Sequence, residues 1–435
     1  MNIGIFSDTF FPQLNGVATS IRTLATALEE RGHNVYIFTP TDPRYHDAEA
    51  EPNVFRLPSI PFVFVQNYRA AVLCPPSIRR KIDELQLDII HTQTEFSMGM
   101  LGKLFSTTKG IPMIHTYHTM YEDYVHYIGG GHIITQDMAR DFSRMFCNAS
   151  MSVIAPTRKT EQLLLSYGVT KPISIIPTGI HTAKFRKEQF DPAEILEIRH
   201  SLGLEADTPV ILSIGRIAKE KSIDVLIRAL PKLLEKLPAA KMVIVGEGNE
   251  LDTLKAYAES LGVSEHTLFI GSRPWEEIGK YYQLGNVFCS ASVSETQGLT
   301  FAEAMAGGIP VVAKKDECIE NIMTDGVTGF MFEEEDELPE LLYRVLTDKE
   351  LSTRLSEASI QAMADLSVEV FANSVEKIYR AILENGECPR RIIAPAIPLV
   401  IGAKAAKQIT RLPRRLARRS HQMAMEFFKD KDNKI

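Results

Sequence analysis

The stretch "PVILSIGRIAKEKSIDVLIRALPKLLEKLPAAKMVIVGEG" covers residues 209–248 and holds one strand–helix–strand unit. Its apolar runs at 209–216 and 241–248 are continuous rather than alternating. Continuous runs are expected for parallel strands that are buried on both faces. The amphipathic segment between them predicts a helix that covers one face of the sheet. The unit therefore predicts an α/β fold built on a parallel sheet.

The same rhythm continues on both sides of this unit. Further apolar runs, each predicted to be a buried strand, lie at 2–7, 34–40, 87–93, 111–117, 151–157, 173–179, 267–272, 286–292 and 309–314. Helical patterns separate them, and the last, at 367–384, is expected to close the second domain. A polar segment at 185–208 marks the seam. We therefore predict two Rossmann-like doubly wound domains, residues 1–200 and 201–386, which face a central cleft.

Composition places the chain among ordinary soluble globular proteins. It has 435 residues, of which 45% are apolar and 24% charged. The five cysteines are scattered without the spacing of a zinc site or a disulfide framework, which favours a reducing cytoplasm. The first residues lack the features of a signal peptide, and no apolar run reaches the ~18 residues needed to span a bilayer.

Charge is distributed unevenly along the chain. Residues 387–435 carry a net charge of +8, whereas the first 386 residues carry −15. Part of this basic tail has an apolar helical face, which predicts an amphipathic helix at a membrane interface. The cations proposed to meet anionic lipid there are Arg414, Arg415, Arg418 and Arg419. The alternatives are a helix packed on the acidic body or a nucleic-acid contact; the acidic body disfavours nucleic acid.

The segment "ETQGLTFAE" places Glu295 and Glu303 on either side of a predicted strand-to-helix turn. Gly298 permits a sharp turn that brings both carboxylates toward the cleft. The amides of Leu299 and Thr300 then lie at a helix N-terminus, which favours anions. Carboxylates beside such amides suit a ligand with hydroxyls and phosphates, such as a nucleotide sugar. The alternative is a solvated loop glutamate followed by one that the helix dipole favours.

Three further strand ends carry candidate residues. Arg216 and Lys221 follow a predicted strand and could neutralise a diphosphate leaving group, although a solvated basic loop is the alternative. Lys219, in the same loop, is the less specific charge. Gly16 lets the backbone approach a ligand closely, or makes a simple turn. His118 follows another strand among tyrosines and is either structural or at the site.

These motifs together resemble the retaining glycosyltransferases of the two-Rossmann GT-B architecture, family four, over roughly residues 1–385. The resemblance implies that Glu295 binds hydroxyls of the transferred sugar and that Glu303 binds the ribose of the nucleotide. It implies that Arg216 and Lys221 hold the diphosphate and that His118 contacts the sugar. Gly16, with the amides of Leu299 and Thr300, is placed near phosphate and sugar. The family transfers sugar with retention and needs no metal or other cofactor, which agrees with the lack of a convincing metal cluster in the sequence.

Within the family, "FSDTFFPQLNGVATSI" and "HTYHTMYEDYVHYI" are most similar to bacterial enzymes that glucosylate diacylglycerol. The implied donor is UDP-glucose, and the implied place is the cytoplasmic face of the cell membrane. Residues 59–86 support this, because they join an apolar aromatic loop to a basic helix. The residues proposed to meet the membrane there are Phe62, Phe64, Arg79, Arg80 and Lys81. The alternative is a buried strand followed by a solvated helix.

Other functions stay open at this stage. The sequence is compatible with galactose instead of glucose, with a soluble acceptor, or with a second sugar added to a glycolipid. A nucleotide-sugar 2-epimerase uses a similar fold, but the glutamate pair and the basic tail argue against it. A non-catalytic scaffold is disfavoured because Arg216, Lys221, Glu295 and Glu303 are all present.

Overall fold

The first half of the chain forms a seven-stranded parallel sheet covered by helices. The computed structural model describes residues 1–13, 15–43, 51–61, 69–72, 74–122, 135–320 and 322–385. The elements of this half are β1 (Asn2–Phe6), α1 (Gly16–Glu30), β2 (Asn34–Pro40), β3 (Val54–Leu57), β4 (Ser59–Pro61), β5 (Arg69–Ala71), α2 (Pro76–Leu85), β6 (Ile89–Thr92), α3 (Ser97–Lys109), β7 (Met113–Thr116), α4 (Gln136–Asn148), β8 (Ser152–Ala155), α5 (Arg158–Ser166) and β9 (Ile173–Ile175). The strand order is β3-β2-β1-β6-β7-β8-β9, and β4 pairs with β5 apart from this sheet.

The second half repeats the design with six parallel strands. Two short helices, α6 (Thr182–Phe185) and α7 (Pro192–Ser201), connect the halves. The remaining elements are β10 (Val210–Ile214), α8 (Ile223–Lys236), β11 (Lys241–Val245), α9 (Leu251–Ser260), β12 (Thr267–Phe269), α10 (Ile278–Tyr282), β13 (Val287–Ser290), α11 (Leu299–Ala306), β14 (Val311–Lys314), α12 (Glu317–Glu320), β15 (Gly329–Phe332), α13 (Leu338–Thr347), α14 (Lys349–Ala362) and α15 (Val368–Asn385). Their sheet has the order β12-β11-β10-β13-β14-β15.

The strand orders confirm the prediction of two doubly wound α/β domains. Every strand pair in both sheets is parallel. The winding direction reverses between β1 and β6 in the first sheet and between β10 and β13 in the second. Ligands of such sheets bind in the crevice outside the carboxyl ends of the strands at this reversal. The loops after these four strands are therefore where a site is expected.

The last helix departs from the prediction. The apolar pattern at 367–384 was expected to close the second domain, but α15 packs on the first one. Its buried Phe371, Val375 and Tyr379 share a core with Ile3 and Ile5 of β1. Burial in steps of four residues gives the helix one apolar face. That face fits α1 and the first sheet, so the chain crosses back after α14, and Met1–Pro389 forms one compact unit.

Two edge strands, β3 and β15, were not predicted from the sequence. Among the described strands each pairs with a single neighbour, so it needs less continuous apolar sequence than a central strand. The basic tail at 387–435 lies outside the described residues. Within the described ranges, no helix combines the length and apolar character that crossing a bilayer requires.

Candidate active site

The loop after β10 carries the two predicted cations. Arg216 is exposed and pairs with Glu220, with 2.5 Å between Nη2 and Oε1. Lys221 ends a 3₁₀ turn just before α8 and extends to the loop after β13. There its Nζ lies 2.5 Å from Oε1 of Glu295. The structure therefore joins Lys221 and Glu295, which are 74 residues apart in sequence, at the strand reversal of the second sheet.

The charge of Glu295 is stabilised by this pairing. Burial raises the pKa of Glu295, but Lys221, Ser292 and Arg216 outweigh burial and lower the pKa below its ordinary value. Glu295 is therefore an ionised acceptor at neutral pH. An ionised carboxylate at this place can accept hydrogen bonds from sugar hydroxyls.

Gly298 shapes the start of α11. It adopts a left-handed φ of 74°, and none of the described side chains caps the helix there. A Cβ on Gly298 would lie 2.7 Å from the Phe301 ring, so both backbone and space favour glycine. Hydrogen bonding to the Gly298 carbonyl begins with the N–H of Phe301. The preceding amides, at Leu299 and Thr300, belong to the first turn, where helices leave N–H groups for ligands.

Glu303 occupies a different environment from Glu295. Its Oε2 accepts a hydrogen bond of 2.7 Å from the hydroxyl of Tyr282, which is fully buried on α10. Burial raises the pKa of Glu303 to about 7, although Tyr282 and Lys184 act in the opposite direction. The two glutamates of the pair thus have opposite pKa shifts. This difference supports separate roles for them.

Gly16, in the first domain, lies close to the start of α11 in the second. It is the exposed first residue of α1, whose N-cap Asn15 accepts from Ala18 N at 2.9 Å. A Cβ on Gly16 would lie 3.5 Å from Cδ1 of Leu299. The N-termini of α1 and α11 therefore meet across the cleft. This contact places the predicted Gly16 loop beside the Glu295–Glu303 segment.

His118 lies at the carboxyl edge of the first sheet, two residues beyond β7. Its Nε2 is 2.6 Å from Oε1 of Gln93, which directly follows β6. Burial, followed by the nearby His115, lowers the pKa of His118 to about 3. The ring is therefore neutral at physiological pH.

Several residues that shape the site were not predicted from the sequence. Gln297 forms two hydrogen bonds to the backbone of Thr178 in the first domain. Its Oε1 accepts from Thr178 N at 2.8 Å, and its Nε2 donates to Thr178 O at 2.9 Å. Thr157 Oγ1 donates to Thr296 O at 2.9 Å. Lys159 pairs with Asp316 at 2.7 Å. Single polar residues in loops carry no periodic signal, so only their contacts identify them.

The predicted basic helix has one packed face and one exposed face. Ile82 of α2 is buried against the first sheet, whereas Arg79 and Arg80 are exposed. Lys81 is partly exposed and lies 3.7 Å from Glu84. Before α2 in sequence, Ile60 on β4 (51%) and Val72 after β5 (43%) are exposed. The other residues predicted to touch the membrane lie outside the described residues: Phe62, Phe64, Arg414, Arg415, Arg418 and Arg419.

In the described part of the chain, no group of three or more His, Cys, Asp or Glu side chains is placed to hold a metal ion. The cations that act to lower the pKa of the glutamate pair are Lys221 and Arg216 for Glu295 and Lys184 for Glu303. These side chains, together with the amides at the α11 N-terminus, can bind an anionic ligand.

Comparison with known proteins agrees with this geometry. Residues 14–184 match Glycosyltransferase Family 4, and residues 194–362 match Glycosyl transferases group 1. The chain is 38% identical over 390 residues to alpha-monoglucosyldiacylglycerol synthase of Streptococcus pneumoniae, covering 88% of this chain and 87% of that protein. It is 32% identical over 393 residues to the enzyme of the same name from Acholeplasma laidlawii, covering 88% and 98%.

Solved structures share the fold at low sequence identity. HepE of Anabaena in complex with UDP-glucose superposes with a TM-score of 0.71 at 17% identity, covering 87% of this chain and 99% of that chain. Sucrose-phosphate synthase of Thermosynechococcus elongatus gives 0.71 at 21% identity, covering 88% and 99%. The two doubly wound sheets and the glutamate pair beside them agree with this assignment. The family match and the relative at 38% identity show that the chain is a glycosyltransferase of family 4.

Proposed function

We propose that this glycosyltransferase transfers a glucosyl group from UDP-glucose to diacylglycerol and retains the α configuration. The observation that carries the proposal is the nearly full-length similarity to two enzymes named alpha-monoglucosyldiacylglycerol synthase. The HepE complexes with UDP and UDP-glucose support a uridine nucleotide sugar as a ligand of this fold.

The residues at the cleft have the chemistry that this transfer needs. The bond between the sugar C1 and the β-phosphate oxygen breaks, and a bond from the acceptor oxygen to C1 forms on the same face. The acceptor proton passes to an oxygen of the leaving phosphate. Arg216, Lys221 and the Leu299 and Thr300 amides stabilise the charge that develops on that phosphate. Glu295 binds hydroxyls of the sugar, Glu303 binds the ribose, and His118 contacts the sugar.

The Lys221–Glu295 pair implies an exchange of partners when a diphosphate binds. Lys221 now pairs with Glu295, so a diphosphate that takes Lys221 releases the carboxylate. The released carboxylate is then available to sugar hydroxyls. One ion pair thus orients both side chains for a nucleotide sugar.

The same arrangement leads us to propose that no divalent metal is required. The cationic side chains and helix amides supply the charge that Mg²⁺ supplies in other phosphoryl sites. Turnover should therefore be unchanged after dialysis against EDTA and should not rise when Mg²⁺ or Mn²⁺ is added back. Loss of activity on chelation, restored by one divalent ion, would contradict this part of the proposal.

We further propose that the enzyme acts as a peripheral protein on the cytoplasmic face of the cell membrane. A lipid acceptor has to be reached in the bilayer, and the segment 59–86 exposes cations on α2 as well as the apolar Ile60 and Val72. Such a combination of side chains suits an anionic membrane interface. We infer that Arg79, Arg80 and Lys81 meet lipid headgroups there.

A reconstituted assay tests the proposal directly. The enzyme is incubated with vesicles containing diacylglycerol and with UDP-glucose or UDP-galactose, and the lipid product is identified by mass and anomeric linkage. We expect an α-linked monoglucosyl lipid from UDP-glucose. A product with two sugars, a water-soluble glycoside, or a free epimerised sugar would refute the assignment and would point to one of the alternative activities.

A further inference from the structure

Gln93 occupies the strand reversal of the first sheet. It directly follows β6, and its backbone N–H donates to the carbonyl of Phe6, at the end of β1, at 2.9 Å. Its side chain is only 3% exposed. This position at the carboxyl edge corresponds to that of the Glu295 loop in the second sheet. A buried polar side chain at this place is expected to serve a ligand or a neighbouring site residue.

One half of the Gln93 carboxamide fixes the His118 ring. The contact of 2.6 Å joins Gln93 Oε1 to His118 Nε2. A carboxamide oxygen only accepts, so His118 Nε2 carries the proton and Nδ1 is the acceptor. Gln93 therefore determines the tautomer and the direction of the ring.

The other half of the carboxamide is unused. The nitrogen Nε2 of Gln93 is buried and finds no hydrogen-bond partner among the described residues. Leaving a buried donor unpaired costs about 1–3 kcal/mol, and native proteins rarely tolerate it without reason. Because Oε1 and Nε2 are bonded to the same carbon, this nitrogen is a near neighbour of the His118 ring.

We propose that Gln93 is a positioning residue for sugar transfer: its oxygen orients His118, and its amide nitrogen donates to a hydroxyl oxygen of the transferred sugar. The inference rests on the proposed function, because that function puts the sugar beside His118. A hydroxyl is favoured over an anion because His118, the neighbouring ring, is neutral. Contact between Gly16 and Leu299 brings the two sheet edges close enough for one ligand to touch both.

A double-mutant cycle that combines one protein variant with substrate analogues tests this hydrogen bond. UDP-glucose and its 3-deoxy, 4-deoxy and 6-deoxy analogues are compared on the wild type and on Gln93→Met, which keeps the side-chain volume without polar atoms. We expect one deoxy analogue to lose about tenfold in kcat/KM on the wild type, as for a neutral hydrogen bond, and less than twofold on the variant. Equal losses on both proteins for every analogue would overturn the proposal.

A second variant tests the effect on His118. Gln93→Glu keeps an oxygen toward the ring but adds a negative charge, which raises the pKa of His118. Glu303 already titrates near pH 7 in the wild type. We expect the pH profile of kcat/KM of the variant to acquire a second ionisation between pH 5 and 8, in addition to that of Glu303. A merely structural role would leave the shape of the profile unchanged, and that result would also overturn the proposal. UDP affinity by calorimetry and the unfolding midpoint serve as controls for folding.

The same cycle is run on the hydrolysis of UDP-glucose without lipid, which involves the sugar side alone. Coupling here means that a deoxy analogue costs more on the wild type than on Gln93→Met. If the wild type fails to glucosylate diacylglycerol but hydrolysis shows this coupling, the proposed function fails and the role of Gln93 stands. If coupling is absent in hydrolysis and appears only when a hydroxyl of the acceptor is removed, the amide holds the acceptor, and the present proposal is wrong.

Discussion

At the scale of single residues, the cations after β10 make the most direct prediction. Arg216→Ala and Lys221→Ala should each reduce kcat about a hundredfold, because each removes a cation that we propose to stabilise charge on the leaving diphosphate. Lys219 lies in the same turn and is exposed, so Lys219→Ala is the matched control and should retain nearly full turnover. Steady-state rates with saturating UDP-glucose provide the measurement. Near-wild-type rates in the first two variants would exclude the diphosphate role.

Glu303 predicts a pH-dependent change in stability. Its pKa is raised to about 7 in the folded protein, chiefly by burial. Between the ordinary glutamate pKa of about 4.3 and this value, the unfolded chain releases a proton that the folded chain keeps. The stability that Glu303 contributes is thus present at low pH and is lost as the pH rises through 7. Glutamine is neutral throughout, so Glu303→Gln should be more stable than the wild type at pH 8 by about 1–3 kcal/mol.

Urea unfolding of the ligand-free proteins at pH 5 and pH 8 measures this effect. The difference in free energy of unfolding between Glu303→Gln and the wild type should be smaller at pH 5 than at pH 8. Glu197→Gln makes the same charge change at an exposed position and should show no such trend. An equal difference from the wild type at both pH values would show that the carboxyl of Glu303 is not buried in the way described.

At the scale of an element, α2 presents Arg79 and Arg80 to solvent while Ile82 is buried against the first sheet. Replacing both arginines with glutamine should weaken binding to anionic vesicles by about 2 kcal/mol, roughly thirtyfold, at about 1 kcal/mol per cation. Lys349→Gln with Arg354→Gln removes two exposed cations from α14 and is the matched control. Vesicle flotation at low salt gives the partition. Identical losses in both double variants would mean that net charge, rather than the α2 face, controls binding.

At the scale of the whole molecule, the compact unit Met1–Pro389 predicts that the basic tail can be removed without unfolding the rest. Truncation after Glu387 should leave UDP affinity nearly intact while binding to anionic vesicles falls. The wild-type attraction should weaken as salt rises, because ions screen it. Flotation of both forms at low and high salt, with calorimetry for UDP, makes the comparison. A tail that serves only to pack on the acidic body would leave flotation equal in both forms.

Local sequence was sufficient for the alternation of strands and helices and for the residues at the strand ends. A central parallel strand needs a largely apolar run, and β1, β10 and β11 each have one. Gly298 and the glutamates around it could be identified because a strand-to-helix turn with a left-handed residue has a short local signature. Arg216, Lys221 and His118 could be predicted as candidates because each follows a predicted strand, where ligands of parallel sheets bind.

Contacts between distant segments were decided only in the tertiary structure. The pairs Lys221–Glu295, Gln93–His118 and Gln297–Thr178 depend on which loops the two sheets bring together. The apolar face of α15 can be predicted from the sequence. That this face packs on the first domain depends on the surface that α1 presents there. Periodicity reports that a face is buried, and it carries no information about the partner. Partner choice follows from packing across the whole chain, which settles the position of α15 and the pairing at the site.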